Sequence, residues 1–211
     1  MITACYTEIK HYWSDRELAA KLALLPVSLR QEALRKRQWM DKQLSVCGKL
    51  LLLELLKEYN SKNSLTDLQY NEYRRPCFDC RPDFNIAHSG NMVICAMTDE
   101  GQIGIDIEQI KQLDFADFTD FFTGNEWHYI NDHADKFEGF YNFWTRKEAV
   151  LKGAGQGITG GLMEPDVSAG DPEGANEPAL TVRFGGEGWD VYDLRPVPGY
   201  IGALAVRRGE G

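Results

Sequence analysis

The stretch 102-QIGIDIEQI-110 reads as a buried strand into which two carboxylates are set. Side chains alternate across a strand, so Asp106 and Glu108 share one face while Ile103, Ile105 and Ile107 share the other. Two carboxylates side by side repel each other, and burying them requires a partner: a cation, a shared proton or a metal ion. The third strand of a small sheet carrying paired acids therefore fixes both where the chain folds and where chemistry is expected.

Outward from this strand, composition narrows the function classes. The 211 residues suffice for a sizeable core, as one domain or two small packed units, and 43% hydrophobic with 26% charged residues is ordinary for a globular protein. A formal net charge of -9 argues against a nucleic-acid binder, which needs clustered Lys and Arg to neutralise phosphates. The opening MITACYTEIK has no apolar leader and no apolar run is long enough to span a bilayer, so a cytoplasmic protein without membrane contact is expected. Five cysteines, an odd number, do not resemble a secreted disulfide framework, and the lone Cys77-x-x-Cys80 has no second ligand pair to make a zinc site.

Upstream, SDRELAAKLALLP opens with a capping box from Ser14 to Glu17 and ends at Pro26, predicting a short helix. DKQLSVCGKLLLLELLKEY predicts a second, strongly apolar helix, with Gly48 marking a close approach. FNIAHSG and NMVICAMT predict two strands joined by a turn at Ser89 to Asn91. Downstream, residues 114–143 read as helical in pieces, and FYNFWTRKEAVLKGAG as a helix capped by glycines. Residues 160–179 read as a loop rich in Gly, Pro and acids, followed by three antiparallel strands in LTVRF, WDVYDLR and YIGALAVRR. Five aromatics, Phe115, Phe118, Phe121, Phe122 and Trp127, exceed what one short helical region buries on a face, so exposure is expected there, at Phe118 first.

In the late helix, Trp144 lies four residues before Glu148 and Leu151 three after it, which puts the acid at the edge of an apolar stripe. Read alone, Glu148 and Lys152 form an ordinary i,i+4 pair worth a few tenths of a kcal/mol. Taken together, three carboxylates, a lysine and the His of NIAHSG are parts suited to a metal-phosphate site.

IGIDIE followed some forty residues later by FWTRKEAVLK resembles the paired signature of the Sfp-type 4′-phosphopantetheinyl transferases, (I/V)-G-(I/V)-D-x-E and W-x-x-K-E-A-x-x-K. The likeness extends through RRPCF, FNIAHSG and RQWMDKQLSVCGKLLL, covering roughly residues 28 to 158. It implies transfer of the phosphopantetheine arm of coenzyme A to a serine of an acyl or peptidyl carrier protein, with release of adenosine 3′,5′-bisphosphate. It implies magnesium, or manganese, held by Asp106, Glu108 and Glu148, with Glu148 also the base for the serine proton and Lys152 steadying the pyrophosphate. His88 and the Arg74, Arg75 and Pro76 segment are implied as coenzyme A contacts, Arg75 foremost because a guanidinium fork grips phosphate bidentately.

Residues 28–45 depart from the family's usual basic positions, and Arg37 is the contact chosen there. Ala87 stands where a small hydroxyl residue is common before the His, one hydrogen bond to the ligand being lost with it. The resemblance further implies an α+β fold of two similar halves, 1–100 and 101–211, related by a pseudo-twofold axis, with coenzyme A in the cleft between them, a monomer, and carrier docking near the aromatic segment. Two other classes compete: a magnesium-dependent phosphohydrolase acting on coenzyme A or a nucleotide with no protein acceptor, and a silent module that binds without transferring.

Overall fold

The computed structural model describes residues 1–155, 164–168 and 178–207. Most of the predicted loop at 160–179 lies outside the described residues. The fold is α+β. Strands β1 (Ile2–Glu8), β4 (Asp83–Ser89) and β5 (Met92–Thr98) form an antiparallel sheet in the order β1-β5-β4, while β2 (Gln69–Tyr70) and β3 (Pro76–Cys77) make a small hairpin. Strands β6 (Ile103–Gln109), β7 (Leu180–Phe184), β8 (Glu187–Leu194) and β9 (Tyr200–Arg207) form a second antiparallel sheet in the order β6-β9-β8-β7. Among the described residues no helix is long and apolar enough to cross a membrane.

The helices sit where their patterns direct them. α1 (Asp15–Leu22) begins at the capping box, Ser14 taking the Glu17 amide while the Glu17 carboxylate takes the Ser14 amide. α2 (Val27–Leu34) starts at Pro26, which makes no side-chain cap. α3 (Trp39–Glu58) lies on the first sheet with Leu52 and Leu55 buried, each such burial worth about 1.5–3 kcal/mol. Gly48 makes that packing possible, because a Cβ there would stand 2.9 Å from Ile86 Cγ2.

α4 (Gly124–Asp132) and α5 (Lys136–Ala154) follow a 3-10 stretch, Phe115–Phe121; α5 covers the second sheet and α4 packs against α5. α5 ends at Gly155 in the left-handed conformation, φ 73°, the cap predicted for its glycines. The exposure expected in the aromatic segment is not found. Phe122 is buried, and Phe115, Phe118, Phe121 and Trp127 are partly buried against one cluster with Phe140 and Trp144. Phe118 packs edge-on to both Phe140 and Trp144. One helix face does not have to hold all five, since α4 and α5 present a two-sided seat for the 3-10 turn.

The two sheets meet along β4 and β6, and side chains make the seam. Asp83 Oδ2 accepts the Ile103 amide (2.8 Å), Asn85 Oδ1 the Ile105 amide (3.0 Å) and Ser89 Oγ the Gln109 amide (3.1 Å). Alternate β4 residues thus stand in for the backbone carbonyls of a paired strand. Ala87 occupies the same face and is buried, so it is turned towards β6 and not towards a ligand. A hydroxyl at 87 would lie on this seam.

Candidate active site

The paired acids of β6 face α5 as the alternation requires, with Ile103, Ile105 and Ile107 buried behind them. Gly104 sets the spacing between strand and helix. A Cβ on it would fall 2.0 Å from the Ala149 carbonyl oxygen and 2.3 Å from the Gly153 amide nitrogen. Gly153 is constrained from its other side, since a Cβ there would stand 2.4 Å from the Trp189 ring. Glycine at both positions lets the strand and helix backbones touch, which delivers Lys152 to Asp106.

Lys152 Nζ donates to Asp106 Oδ1 at 2.5 Å, with Asp106 3% exposed and the Lys152 side chain 32% exposed. Ser89 Oγ donates to Glu108 Oε2 at 2.6 Å while accepting the Gln109 amide, so the turn before β5 fixes the second acid. Two oxygens are left over. Among the described residues Asp106 Oδ2 and Glu148 Oε1 are buried with no hydrogen-bond partner, a condition that costs about 1–3 kcal/mol for each neutral group and more for a charged one.

Electrostatics follow from that crowding. Burial pushes Glu148 up to about 7, with the charges of Asp106 and Glu108 adding to it and Lys152 opposing. Burial also raises Asp106, against the pull of Lys152, and raises Glu108, with Asp106 contributing. Burial works to lower Lys152, but the charge and hydrogen bond of Asp106, joined by Glu148 and Glu108, hold its ammonium above its ordinary range. His88 lies at the solvent-facing end of β4. Enclosure by protein atoms and then the Lys152 charge lower its pKa, with Lys36 acting the same way and Asp41 and Asp106 opposing. His88 and Lys152 therefore belong to one electrostatic cluster, next to the acids.

The remaining expected contacts are distributed differently. Arg37 is exposed in the connection between α2 and α3, and Pro76 is half-buried in the hairpin, paired with Tyr70. Arg74 sits at φ 63° in the turn before β3. Arg75 does not offer an open fork. Its Nη1 and Nη2 clasp Asp83 (2.9 and 2.8 Å), Nη2 also donates to the Phe84 and Ile103 carbonyls, and Nε donates to the Lys152 carbonyl (3.0 Å). The expectation that Arg75 grips phosphate is therefore corrected: a half-buried carboxylate and three backbone carbonyls already take its donors.

Residues 102–194 match the family model described as the 4′-phosphopantetheinyl transferase superfamily. The chain is 30% identical to the 4′-phosphopantetheinyl transferase Sfp of Bacillus subtilis (strain 168) over 151 residues, 69% of this chain and 67% of that protein. The chain belongs to the 4′-phosphopantetheinyl transferase family. It is also 34% identical to the 4′-phosphopantetheinyl transferase gsp of Aneurinibacillus migulanus over 121 residues, 56% of this chain and 51% of that protein, and 30% identical to AcpT of Escherichia coli (strain K12) over 148 residues. The chain thus spans about half to two thirds of the length of these relatives.

Membership of this enzyme family fits a site whose charged groups come from the matched segment. Three further residues at the site escaped the sequence reading. Ser89 was seen only as a turn residue, although a hydroxyl beside a His at a strand end has an acid partner within reach. Gly104 belongs to the IGIDIE motif and Gly153 reads as one of the glycines ending the helix, but their task depends on two backbones meeting in space, which no local pattern announces.

Proposed function

We propose that the protein transfers the 4′-phosphopantetheine arm of coenzyme A to a serine of an apo acyl or peptidyl carrier protein, releasing adenosine 3′,5′-bisphosphate. The observation that carries this reading is the pair of buried oxygens beside the Lys152 ammonium, Asp106 Oδ2 and Glu148 Oε1, that find no hydrogen-bond partner among the described residues. The reaction forms a bond from the serine oxygen to the phosphorus bearing the pantetheine arm and breaks the bond from that phosphorus to the bridging oxygen of the pyrophosphate.

The donor set suits a hard divalent cation. Among the described residues no three His, Cys, Asp or Glu side chains stand close enough to enclose an ion, but magnesium is commonly held by one or two carboxylates with phosphate oxygens and water completing its shell. Asp106, Glu108 and Glu148 would hold magnesium, or manganese, which when bound polarises the pyrophosphate. Glu148, raised to about 7, is poised to take the serine proton near neutral pH. Lys152 neutralises charge on the departing phosphate, and His88, on the solvent side, meets the incoming coenzyme A together with the Arg37 and Pro76 segments.

The finer architecture belongs to the same proposal: two similar halves, 1–100 and 101–211, about a pseudo-twofold axis, with coenzyme A between them and the chain acting as a monomer in the cytoplasm. Support comes from the repeated plan, α3 on one antiparallel sheet and α5 on the other, and from free thiols at all five cysteines, which suit a reducing compartment. A dimer in sedimentation would sink the monomer reading.

The deciding experiment incubates the protein with coenzyme A, magnesium and an apo carrier, read by intact-protein mass spectrometry. Gain of one phosphopantetheine group on the carrier is expected. Breakdown of coenzyme A at the same rate without a carrier, and no adduct with one, would replace this reading by phosphohydrolysis.

A further inference from the structure

Arg75 lies in the N-terminal part of the chain yet reaches the backbone of both elements that carry the site. Its Nε donates to the carbonyl of Lys152 on α5 (3.0 Å), and its Nη2 to the carbonyl of Ile103 on β6 (2.9 Å), three residues before Asp106. The same Nη2 holds the Phe84 carbonyl of β4 (3.0 Å). Asp83 fixes the guanidinium bidentately and takes the Ile103 amide as well, so Arg75 and Asp83 together satisfy both backbone groups of Ile103.

The turn that presents Arg75 is itself tied to α5. Asn71 Oδ1 accepts the Arg75 amide (2.8 Å) and the Tyr73 amide (3.0 Å), while Asn71 Nδ2 donates to the Gly155 carbonyl (3.5 Å). The last carbonyls of a helix lack intrahelical partners, and a cation there is favourable. At Lys152, whose ammonium meets Asp106, the carbonyl already takes the Gly155 amide (3.2 Å), and Arg75 adds a second donor and the positive charge. The Arg75 and Asp83 side chains are 11% and 17% exposed, so water competes little for these bonds.

We infer that Arg75 is a positioning residue for the transfer reaction, clamping the Lys152 backbone and β6 to β4 so that Lys152 and Asp106 keep their contact. This rests on the transferase reading. It assigns Arg75 to the rate of the chemical step and not to the grip on coenzyme A. Lys in its place would keep the charge but could not bridge a carboxylate and three carbonyls with one planar fork.

The test compares Arg75→Ala, Arg75→Lys and Asp83→Asn with the unaltered protein. Steady-state transfer from coenzyme A to an apo acyl carrier protein with magnesium gives kcat and KM, and calorimetric titration with coenzyme A alone gives Kd. A displaced Lys152 should lower kcat by about 10- to 100-fold in Arg75→Ala and Arg75→Lys, with KM and Kd for coenzyme A held within about threefold. Asp83→Asn should lower kcat in the same direction, although a carboxylate has no attraction for an anionic ligand to lose. The inference is overturned if Arg75→Ala raises KM and Kd about tenfold at unchanged kcat, or if Arg75→Lys matches the unaltered protein. Should Arg75→Ala fail to fold by circular dichroism, Arg75→Lys and Asp83→Asn decide. Absence of transfer by the unaltered protein would overturn the transferase reading, and the inference with it, before any variant is measured.

Discussion

Two lysines five residues apart on α5 each meet an acid from another element, and the two pairs end in opposite states. Lys147 binds Glu126 of α4 at 2.9 Å with both side chains wholly buried. The Lys147 ammonium also donates to the Pro165 carbonyl (2.8 Å), and the Glu126 carboxylate also takes the Val167 and Thr123 amides. Lys152 binds Asp106, yet one Asp106 oxygen and one Glu148 oxygen stay buried with no partner among the described residues. A sealed ion pair is fastened to its surroundings on every side and holds the helices and the 164–168 segment together. A pair with unused oxygens has capacity left for a ligand. Ion pairing as such therefore says little about function, and the unsatisfied remainder says much.

The comparison breaks most sharply at Asp106. Asp106→Ala should abolish transfer, roughly a thousandfold or more given the several kcal/mol that a bound metal supplies, while circular dichroism and the melting curve stay near those of the unaltered protein. Transfer at the ordinary rate would remove Asp106 from the site; loss of the fold with loss of activity would make it a sealed pair of the Glu126 kind. Next comes Glu148→Gln, which keeps size but loses charge and basicity. Transfer should fall by about two orders of magnitude or more, and activity within a few-fold of normal would reduce Glu148 to a helix-face acid.

The sealed pair should answer in stability. Glu126→Ala takes the carboxylate from a buried ammonium and is expected to cost about 3–5 kcal/mol in urea unfolding, with the coenzyme A KM of the folded fraction unchanged. A loss under 1 kcal/mol would show that water reaches Lys147 after all. The smallest effect is expected on the aromatic side of α5. Phe118→Ala should lower stability by about 1–3 kcal/mol, less than a fully buried Phe because the ring keeps some exposure, and leave the carrier KM alone. A raised carrier KM at full stability would restore the segment as a docking surface.

The sequence disclosed those parts of the molecule whose signals are local. Alternation in IGIDIE placed Asp106 and Glu108 on one face, and the Ser14 capping box and the glycine end of α5 marked helix boundaries correctly. β1 went unread because ITACYTE is a half-exposed edge strand of small and polar residues, without the apolar alternation that advertises a buried face. α2 went unread because its N-cap is Pro26, which offers no side-chain acceptor. Arg75 differs from its sequence reading for another reason: an Arg before a Pro reads as a free fork, and only the fold brings Asp83 and three carbonyls to it. The aromatics misled in the same way, since counting rings on one helix ignores the second helix that covers them.

The seam between the sheets has a consequence for how far the chain can drift. A backbone rung in a sheet survives almost any replacement, because every residue but proline supplies the same amide and carbonyl. A rung made by a side chain survives only replacements that keep an oxygen at the same reach. Asp83, Asn85 and Ser89, on alternate positions of β4, are thus answerable to the geometry of the neighbouring sheet, whereas Phe84 and Ile86 between them pack their side chains on the α3 side. Ala87, on the same face, makes no such rung; buried against the isoleucines of β6, it is held to a small volume instead of to a hydrogen bond.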